Sequence, residues 1–547
     1  MALFRQVLFV TLLVLVASTP DRARGQELPP TPGPCCPASA TEVASGTTFS
    51  SIDRFVAAYY FYWYRWDNAC VGEICDPLYT RGHIEFATGV FGPSTRSALT
   101  HTPPDLESYD FADPEWHDSQ IEDMVAAGID VVLPVFWGVP GRYEGDQSHY
   151  CAAWSKVGLE ALVKAVQSRE EQGKPFPLIG MMYDTTTLIF ESPFHYEQDR
   201  RTLDLRNDLG KKHFYATVRD FYSLVPPKYW ARWQWHPLVW LYASEYAAAF
   251  DDTLLPDCKS RFEQEFAGAT PWFVAHLDWL GAKPDWVYRW GGAIQPSFLS
   301  VNSLGPGFDR SGAEGKPAGS SVLRERAEGA FYRDAWEQAL RSLAPVTVIE
   351  TWNELHEGSE ICRTREHGDR AIQITREYAD RFAKGIAPPF PGPFAQENSV
   401  SWSAATGLPG GLSPTPWEDG RYRLVQSDSD SLIETEDSYL YFEVEDSFIF
   451  SLAGSATPTL EVEFFDLPAR VGSLFVEYDS WDQGAQYHGI YKQTDQEPLS
   501  GKFSYRTVSF PLPAARFANN QNGGADLRLV APKGLRVRSV TLRRQSP

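Results

Sequence analysis

Between residues 54 and 352 the chain alternates between two hydrophobic patterns. One is a short, nearly unbroken apolar run. The other is a longer stretch with apolar residues every three or four positions. Runs of the first kind occupy 54–64, 128–138, 176–184, 236–245, 270–278, 286–291, 298–308 and 346–352. Their β-branched and aromatic residues read as strands. Helical spacing fills 118–127, 155–172 (Val157, Leu159, Leu162, Val163 and Val166 on one face), 209–224 and 322–343. A last helical stretch, 370–384, closes on Gly385 and the Pro388-Pro389 pair. Parallel strands buried on both faces carry continuous apolar runs of this kind. Eight of them with helices between predict an α/β chain folded as a (β/α)8 TIM-type barrel over residues 51–387. A doubly wound open sheet is the alternative. No Gly-x-Gly-x-x-Gly follows the first strand and no Gly-Lys-Ser/Thr phosphate loop occurs, which argues against an open nucleotide-binding sheet.

After residue 388 the pattern changes. Residues 388–416 are rich in Pro, Gly and Ser and read as a linker. In 417–547, short strands at 439–445, 459–465, 472–478, 505–510 and 535–542 follow one another with no helix between. They predict an all-β, jelly-roll-like sandwich. It resembles accessory modules appended to secreted carbohydrate enzymes, and 516–526 looks like a recurring element of such modules. A carbohydrate-binding module and a packing module without ligand both fit. At the other end, Arg5 precedes the apolar run 7–16, and Ala23-Arg24-Gly25 offers a small-x-small cleavage site. Residues 1–25 therefore read as a signal peptide, too short for a comfortable membrane span. Residues 26–50, rich in Pro, Ser, Thr and Ala, read as a disordered lead-in. The mature protein is expected to be secreted or periplasmic, with no membrane contact after cleavage.

The formal charge of −22 disfavours nucleic acid and anionic lipid as partners. The 18 tryptophans change the picture more, because aromatic faces stack on the C–H faces of sugar rings. Seven cysteines are few for 547 residues, so disulfides would be accessories. Cys70 and Cys75 enclose a short loop and could pair. No Cys/His pattern has zinc-ligand spacing, and no cofactor or metal is expected.

Candidate chemistry concentrates after the eighth predicted strand. There Trp352-Asn353-Glu354-Leu355-His356-Glu357-Gly358 is too polar for a core. Glu354 and Glu357 stand three residues apart, which in a turn brings side chains to about 5–6 Å. Glycosidases hold their two carboxyl groups roughly 5–9 Å apart across the reacting bond. Barrel enzymes place their sites at the carboxyl ends of the strands. Read there, the chain offers Tyr60, Trp63, Tyr64, Trp137, Tyr183, Asp184, Tyr242, Glu245, His276, Asp278, Trp290, Asp309, Trp352, Asn353 and His356 around the two glutamates. Aromatics and acids in one ring suit a poly- or oligosaccharide cleft.

The Trp-Asn-Glu-x-His-Glu-Gly segment resembles that of the endo-α-mannosidase family, glycoside hydrolase family 99, and its bacterial relatives. Tyr59, Tyr60, Trp63 and Tyr64 resemble the family's first strand, with Tyr62 where a proline is typical. The Ala-Gly-Ile-Asp opening at 127–130 resembles its second. Leu355 stands where relatives often carry an aromatic. The resemblance implies a retaining glycosidase without a metal. In it Glu354 would help the substrate's own 2-hydroxyl attack through an anhydrosugar intermediate. Glu357 would protonate the leaving oxygen and later activate water. Residues alone leave open which glutamate is acid and which is base. A glycan-binding barrel without turnover is the alternative function. A metal hydrolase built on His356, Glu357 and Glu360 is a third, opposed by the missing His-Glu-x-x-His pattern.

Overall fold

In a computed structural model, the structure describes residues 28, 30–64, 99–105, 108–139, 152–190, 201–313, 316–317, 319–386, 392–407, 409–427, 430–451, 457–467 and 472–544. The predicted signal peptide and the Cys70–Cys75 loop lie outside them.

Each of the eight apolar runs yields a barrel strand: β1 (Phe55–Tyr60), β2 (Val131–Phe136), β3 (Met181–Tyr183), β4 (His236–Leu241), β5 (Trp272–His276), β6 (Trp286–Tyr288), β7 (Asn302–Leu304) and β8 (Val346–Ile349). Their order is β6-β5-β4-β3-β2-β1-β8-β7, every pair parallel. Ala57 pairs with Val131 on one side and Val348 on the other, so β1 is an interior strand of the sheet. No ladder joins β6 to β7, and the barrel wall is open there among the described residues.

Helices cover most of the outside: α2 (Pro114–Ala127), α3 (Ala152–Glu171), α4 (Asp208–Leu224), α5 (Leu254–Glu265), α6 (Ala330–Arg341) and α7 (Arg370–Ala383), counted after a short α1 (Ala40–Ala44). Local chemistry sets their ends. In α2, Asp113 accepts the Glu115 N–H, Pro114 opens the first turn, and Gly128 closes the last at φ 78°. α6 begins later than its apolar spacing predicts. Residues 322–329 go instead to a strand pair, Phe308–Asp309 with Leu323–Arg324, and a 3-10 turn. α5 carries no strong sequence signal. The connections β5–β6 and β6–β7 hold a 3-10 turn, Leu277–Ala282, and a loop, but no α-helix.

Two expectations need correction. The lead-in is ordered from residue 30. Ser39 and Glu42 form a reciprocal cap for α1. The Cys35 N–H bonds the Ser223 carbonyl at 2.9 Å, the Phe49 N–H bonds the Arg232 carbonyl at 2.9 Å, and Phe49 stacks on Phe55 at 4.1 Å. The segment therefore covers the amino-terminal base of the barrel. The stretch read as a linker, 388–416, already belongs to the sandwich. It supplies β9 (Ser399–Ser403) and β10 (Leu412–Thr415).

The sandwich continues with β11 (Tyr422–Ser427), β12 (Asp430–Thr435), β13 (Tyr439–Val444), β14 (Thr459–Asp466), β15 (Ser473–Tyr478), β16 (Ser504–Pro511), β17 (Leu527–Val530) and β18 (Arg536–Arg543). One sheet gathers β9, β11, β12, β14, β16 and β18, and the other gathers β10, β13, β15 and β17. All pairs are antiparallel. Alternating burial along β14 puts Leu460, Val462 and Phe464 inside.

The sandwich docks where the barrel lacks helices. Ile490 and Tyr491 pack on Leu277, Val287 and Leu299, and Phe450 meets Phe298 at 5.5 Å. The Gln338 amide bonds Asp446 at 2.9 Å.

Candidate functional site

The turn after β8 is pinned from several sides. The Trp352 N–H reaches the Tyr59 carbonyl at 2.8 Å. The Asn353 amide clamps Phe61, accepting its N–H at 2.8 Å and donating to its carbonyl at 2.7 Å. The Tyr64 hydroxyl donates to the Asn353 carbonyl at 2.8 Å and accepts the Leu355 N–H at 3.0 Å. The Thr351 hydroxyl accepts the Glu354 N–H at 2.8 Å, and Thr100 donates to the His356 carbonyl at 2.6 Å. One tight turn, Glu357 N–H to Glu354 carbonyl at 3.3 Å, separates the two acids. Gly358 follows at φ 56°, where a Cβ would press on His101, Asp309 and Thr100 at 3.1–3.3 Å.

The acids converge. Glu354 is 9% exposed, and its carboxyl is held well above the usual range by burial and then by Glu357, Glu350 and Asp184. Burial also raises Glu357, but the Arg310 guanidinium pulls the other way. Glu350 is pushed up to about 7 by burial, against hydrogen bonds from Ser303, Gly291 and Gly292 and the charge of Arg289. Burial raises Asp184 against hydrogen bonds from Thr186 and Trp137. The Tyr242 hydroxyl is raised by burial and feels Asp184, Tyr246, Glu354 and Glu357. Two glutamates in one low-dielectric site share their protons, and these surroundings favour a proton on Glu354. That ordering is the reverse of the roles implied by the family resemblance.

Aromatics form the wall. Trp63 stacks on Trp137 at 5.2 Å and meets His356 edge-on at 6.0 Å, while Tyr64 stacks on His356 at 5.8 Å. Trp290 packs on Tyr59 and on Tyr242, each at 4.9 Å. His276 and Asp278 pair at 2.9 Å. Asp278 also takes the Ser244 N–H at 2.7 Å. Burial would raise the Asp278 carboxyl, but the His276 hydrogen bond and charge hold it low.

Other expected residues point elsewhere. Tyr60 faces the helix layer, with its hydroxyl 2.9 Å from His117 Nδ1 and its ring on Trp116. Its neighbour Tyr59 is the one turned inward, toward Tyr288 and Trp290. Trp352 is fully buried and donates to Gln120 of α2 at 2.9 Å, so it is no sugar platform. Tyr183 is buried against Phe214 of α4 at 5.2 Å. Asn353 commits its amide to Phe61. Asp309 receives the Ser311 and Gly319 N–H groups at 3.0 and 2.6 Å and braces the next loop. Glu360, the third member of the metal alternative, is fully buried and bonds Arg326 at 2.6 Å and His101 at 3.0 Å. It does not join His356 and Glu357 in a ligand set. Sequence reading missed Tyr288, Arg310 and Glu350, and named Tyr59 only within the first-strand aromatic motif. Glu350 carried a signal, as the first acid after the last β-branched residue of β8.

A family model described as a domain of unknown function (DUF5010) matches residues 95–396. No curated protein matches the sequence. Among solved structures, the GH99 endo-α-mannosidase of Bacteroides thetaiotaomicron is 17% identical, covering 61% of this chain and 99% of that chain, with a TM-score of 0.41. The cyclic α-maltosyl-(1→6)-maltose hydrolase of Arthrobacter globiformis is 11% identical, covering 86% and 99%, with a TM-score of 0.33. The CBM22-1 xylan-binding domain of Paenibacillus barcinonensis is 10% identical, covering 27% and 96%, with a TM-score of 0.20. Likeness at this level carries nothing about the reaction.

Proposed function

The chain belongs to the family described as a domain of unknown function (DUF5010), a description that names no reaction, and from its site we propose that it hydrolyses glycosidic bonds in a poly- or oligosaccharide. The observation that carries this is the meeting of Glu354 and Glu357, one turn apart after β8, in mutual electrostatic contact inside a wall of Trp63, Trp137, Tyr242 and Trp290. Two carboxyl groups of unequal proton affinity beside aromatic platforms are the equipment of acid and base glycoside cleavage. Glu354, the more strongly protonated, gives its proton to the leaving oxygen. Glu357, beside the Arg310 charge, is the ionised partner that assists attack at the anomeric carbon. His276, Asp278 and His356 are suited to bond sugar hydroxyls. Export by the predicted signal would bring the site to extracellular glycans.

The test is a polysaccharide panel scored for released reducing ends, with Glu354→Gln and Glu357→Gln as controls. Both variants are expected to lose at least about a hundredfold, a usual size for acid–base catalysis. An aryl glycoside with a good leaving group needs no protonation. Glu354→Gln should therefore retain much more activity on it than Glu357→Gln does. The opposite ranking would restore the roles implied by the family resemblance. Binding without turnover across the panel would replace hydrolysis with the glycan-binding reading.

A further inference from the structure

Glu350 is a carboxyl that the chemistry above leaves without a task. It follows β8 directly and is 2% exposed. One of its oxygens accepts the N–H groups of Gly291 at 2.7 Å and Gly292 at 2.9 Å, and the other accepts the Ser303 hydroxyl. Glycine is required for this approach. Gly291 adopts φ 103°, and a Cβ on Gly292 would lie 2.5 Å from the Ser303 carbonyl carbon.

These glycines belong to the loop 289–298, which crosses the open side of the barrel between β6 and β7. The sandwich holds that loop from outside. Arg289 Nη1 donates to the Asn520 carbonyl at 2.9 Å. Gln295 donates to the carbonyls of Asn519 at 3.3 Å and Gln521 at 3.1 Å. The Asn520 side chain accepts the Phe298 N–H at 3.1 Å and donates to the Phe298 carbonyl at 3.3 Å. Asn520 is fixed in turn by Asp479 at 3.0 Å, and Asp479 pairs with Arg516 at 2.6 Å. A continuous set of bonds thus runs from the sandwich core to the carboxyl behind Glu354.

The charged and titratable groups around this carboxyl are few. Glu350 faces Arg289 from the loop, Tyr59 from β1, Tyr288 from β6 and Glu354 from its own turn. Glu354 faces Glu357, Asp184, Tyr64 and Tyr242 as well. Arg289 meets Asp479 and Tyr491 on the sandwich side.

We propose that the sandwich is a working part of the catalytic domain: through loop 289–298, its segment 516–522 positions Glu350, whose negative charge keeps a proton on Glu354 as the surroundings become alkaline. Glu350 is a positioning and electrostatic residue in this arrangement, and the idea rests on the glycosidase reading. Like charges in a shared low-dielectric site disfavour each other's ionisation. Once Glu350 has lost its own proton, Glu354 therefore holds on more tightly.

Glu350→Gln removes the charge and keeps the shape. Its amide oxygen takes both glycine N–H groups, and its NH2 meets the Ser303 hydroxyl with the direction of that bond reversed. The alkaline limb of the pH–kcat profile should fall by about one pH unit, a usual size for losing one nearby charge. Arg289→Met should shift the limb the same way, because Glu350 then ionises later. Combined with Glu350→Gln it should add little. Asn520→Ala should move the limb part of that distance. An unmoved limb in Glu350→Gln overturns the proposal, and an unmoved limb in Asn520→Ala alone removes the sandwich from it. A second readout needs no turnover: the infrared carboxylic-acid band that Glu354→Gln deletes should titrate about one unit lower in Glu350→Gln. Should the parent protein cleave nothing, the glycosidase reading falls and this midpoint alone decides. A midpoint unchanged by Glu350→Gln overturns the inference.

Discussion

Asn353 distinguishes a residue that touches substrate from one that builds the floor beneath the proposed catalytic acid. Its side chain is fully buried and makes a two-way bond with the Phe61 backbone, at 2.8 and 2.7 Å. Replacing it with aspartate, Asn353→Asp, keeps size and shape but removes the donor. One oxygen still accepts the Phe61 N–H, while the other confronts the Phe61 carbonyl. The lost bond, the stranded carbonyl and the buried charge together should cost about 3–5 kcal/mol at pH 8. The sign of the pH dependence follows from linkage. The introduced carboxyl has a folded-state pKa above its unfolded value of about 3.9, since only its protonated form can donate to Phe61. Most of the loss should vanish below about pH 4, grow as pH climbs toward the raised folded value, and level off above it. Urea unfolding of variant and parent at pH 4, 6 and 8 reads the difference directly. Equal stability at pH 8 together with a raised KM would refute the clamp and return Asn353 to substrate contact.

Trp352→Phe should lose about 1–3 kcal/mol by stranding the buried Gln120 carbonyl oxygen, with KM unchanged. Trp290→Ala, on the cleft wall, should raise KM for a glycan, and KM measurements on the two variants separate these roles. Glu360→Gln should destabilise by about 3–5 kcal/mol, because it leaves Arg326 without its buried partner. Burial would raise Glu360, but the charges of Arg326 and His101 hold it low, so its contribution is lost as pH falls through that lowered value. Burial would lower His101, but Glu360 raises it, so its contribution is lost as pH rises through that raised value. The gap between parent and variant in thermal unfolding should be widest near pH 5–6, between the unfolded pKa values of about 4.3 and 6.5. Phe49→Ala should cost about 2 kcal/mol through the lost stack on Phe55, read as a lower urea midpoint.

The strands were legible because burial on both faces leaves an unbroken apolar run, and all eight lie where those runs lie. The same property hides their phase. When inner and outer positions are both apolar, nothing in Phe55–Tyr60 says whether Tyr59 or Tyr60 faces the cleft, and only the structure turns Tyr59 inward and Tyr60 outward. Helix α5 was illegible for another reason: Pro256 stands in its first turn and only Leu254, Leu255, Cys258 and Phe262 are buried. The supposed linker shows that proline does not exclude strands at a sheet's edge, since Pro414 sits in β10, whose partner is β13 alone in that sheet. In the candidate site, the pair at 354 and 357 was visible from spacing. The third acid was not, because Glu350 looked like the interior of a run extending to Trp352. Its importance comes from glycines and a serine about fifty residues upstream.

The barrel's missing outer helices bear on how the chain is made. Leu277, Val287 and Leu299 are covered by Ile490 and Tyr491, which leave the ribosome long after them. At about 5–20 residues per second, this seam stays uncovered for on the order of ten seconds or more while the last part of the chain is translated. A nascent barrel therefore carries a sticky strip that its own sandwich must close, so truncated messages and stalled synthesis should yield aggregates rather than a shorter folded protein.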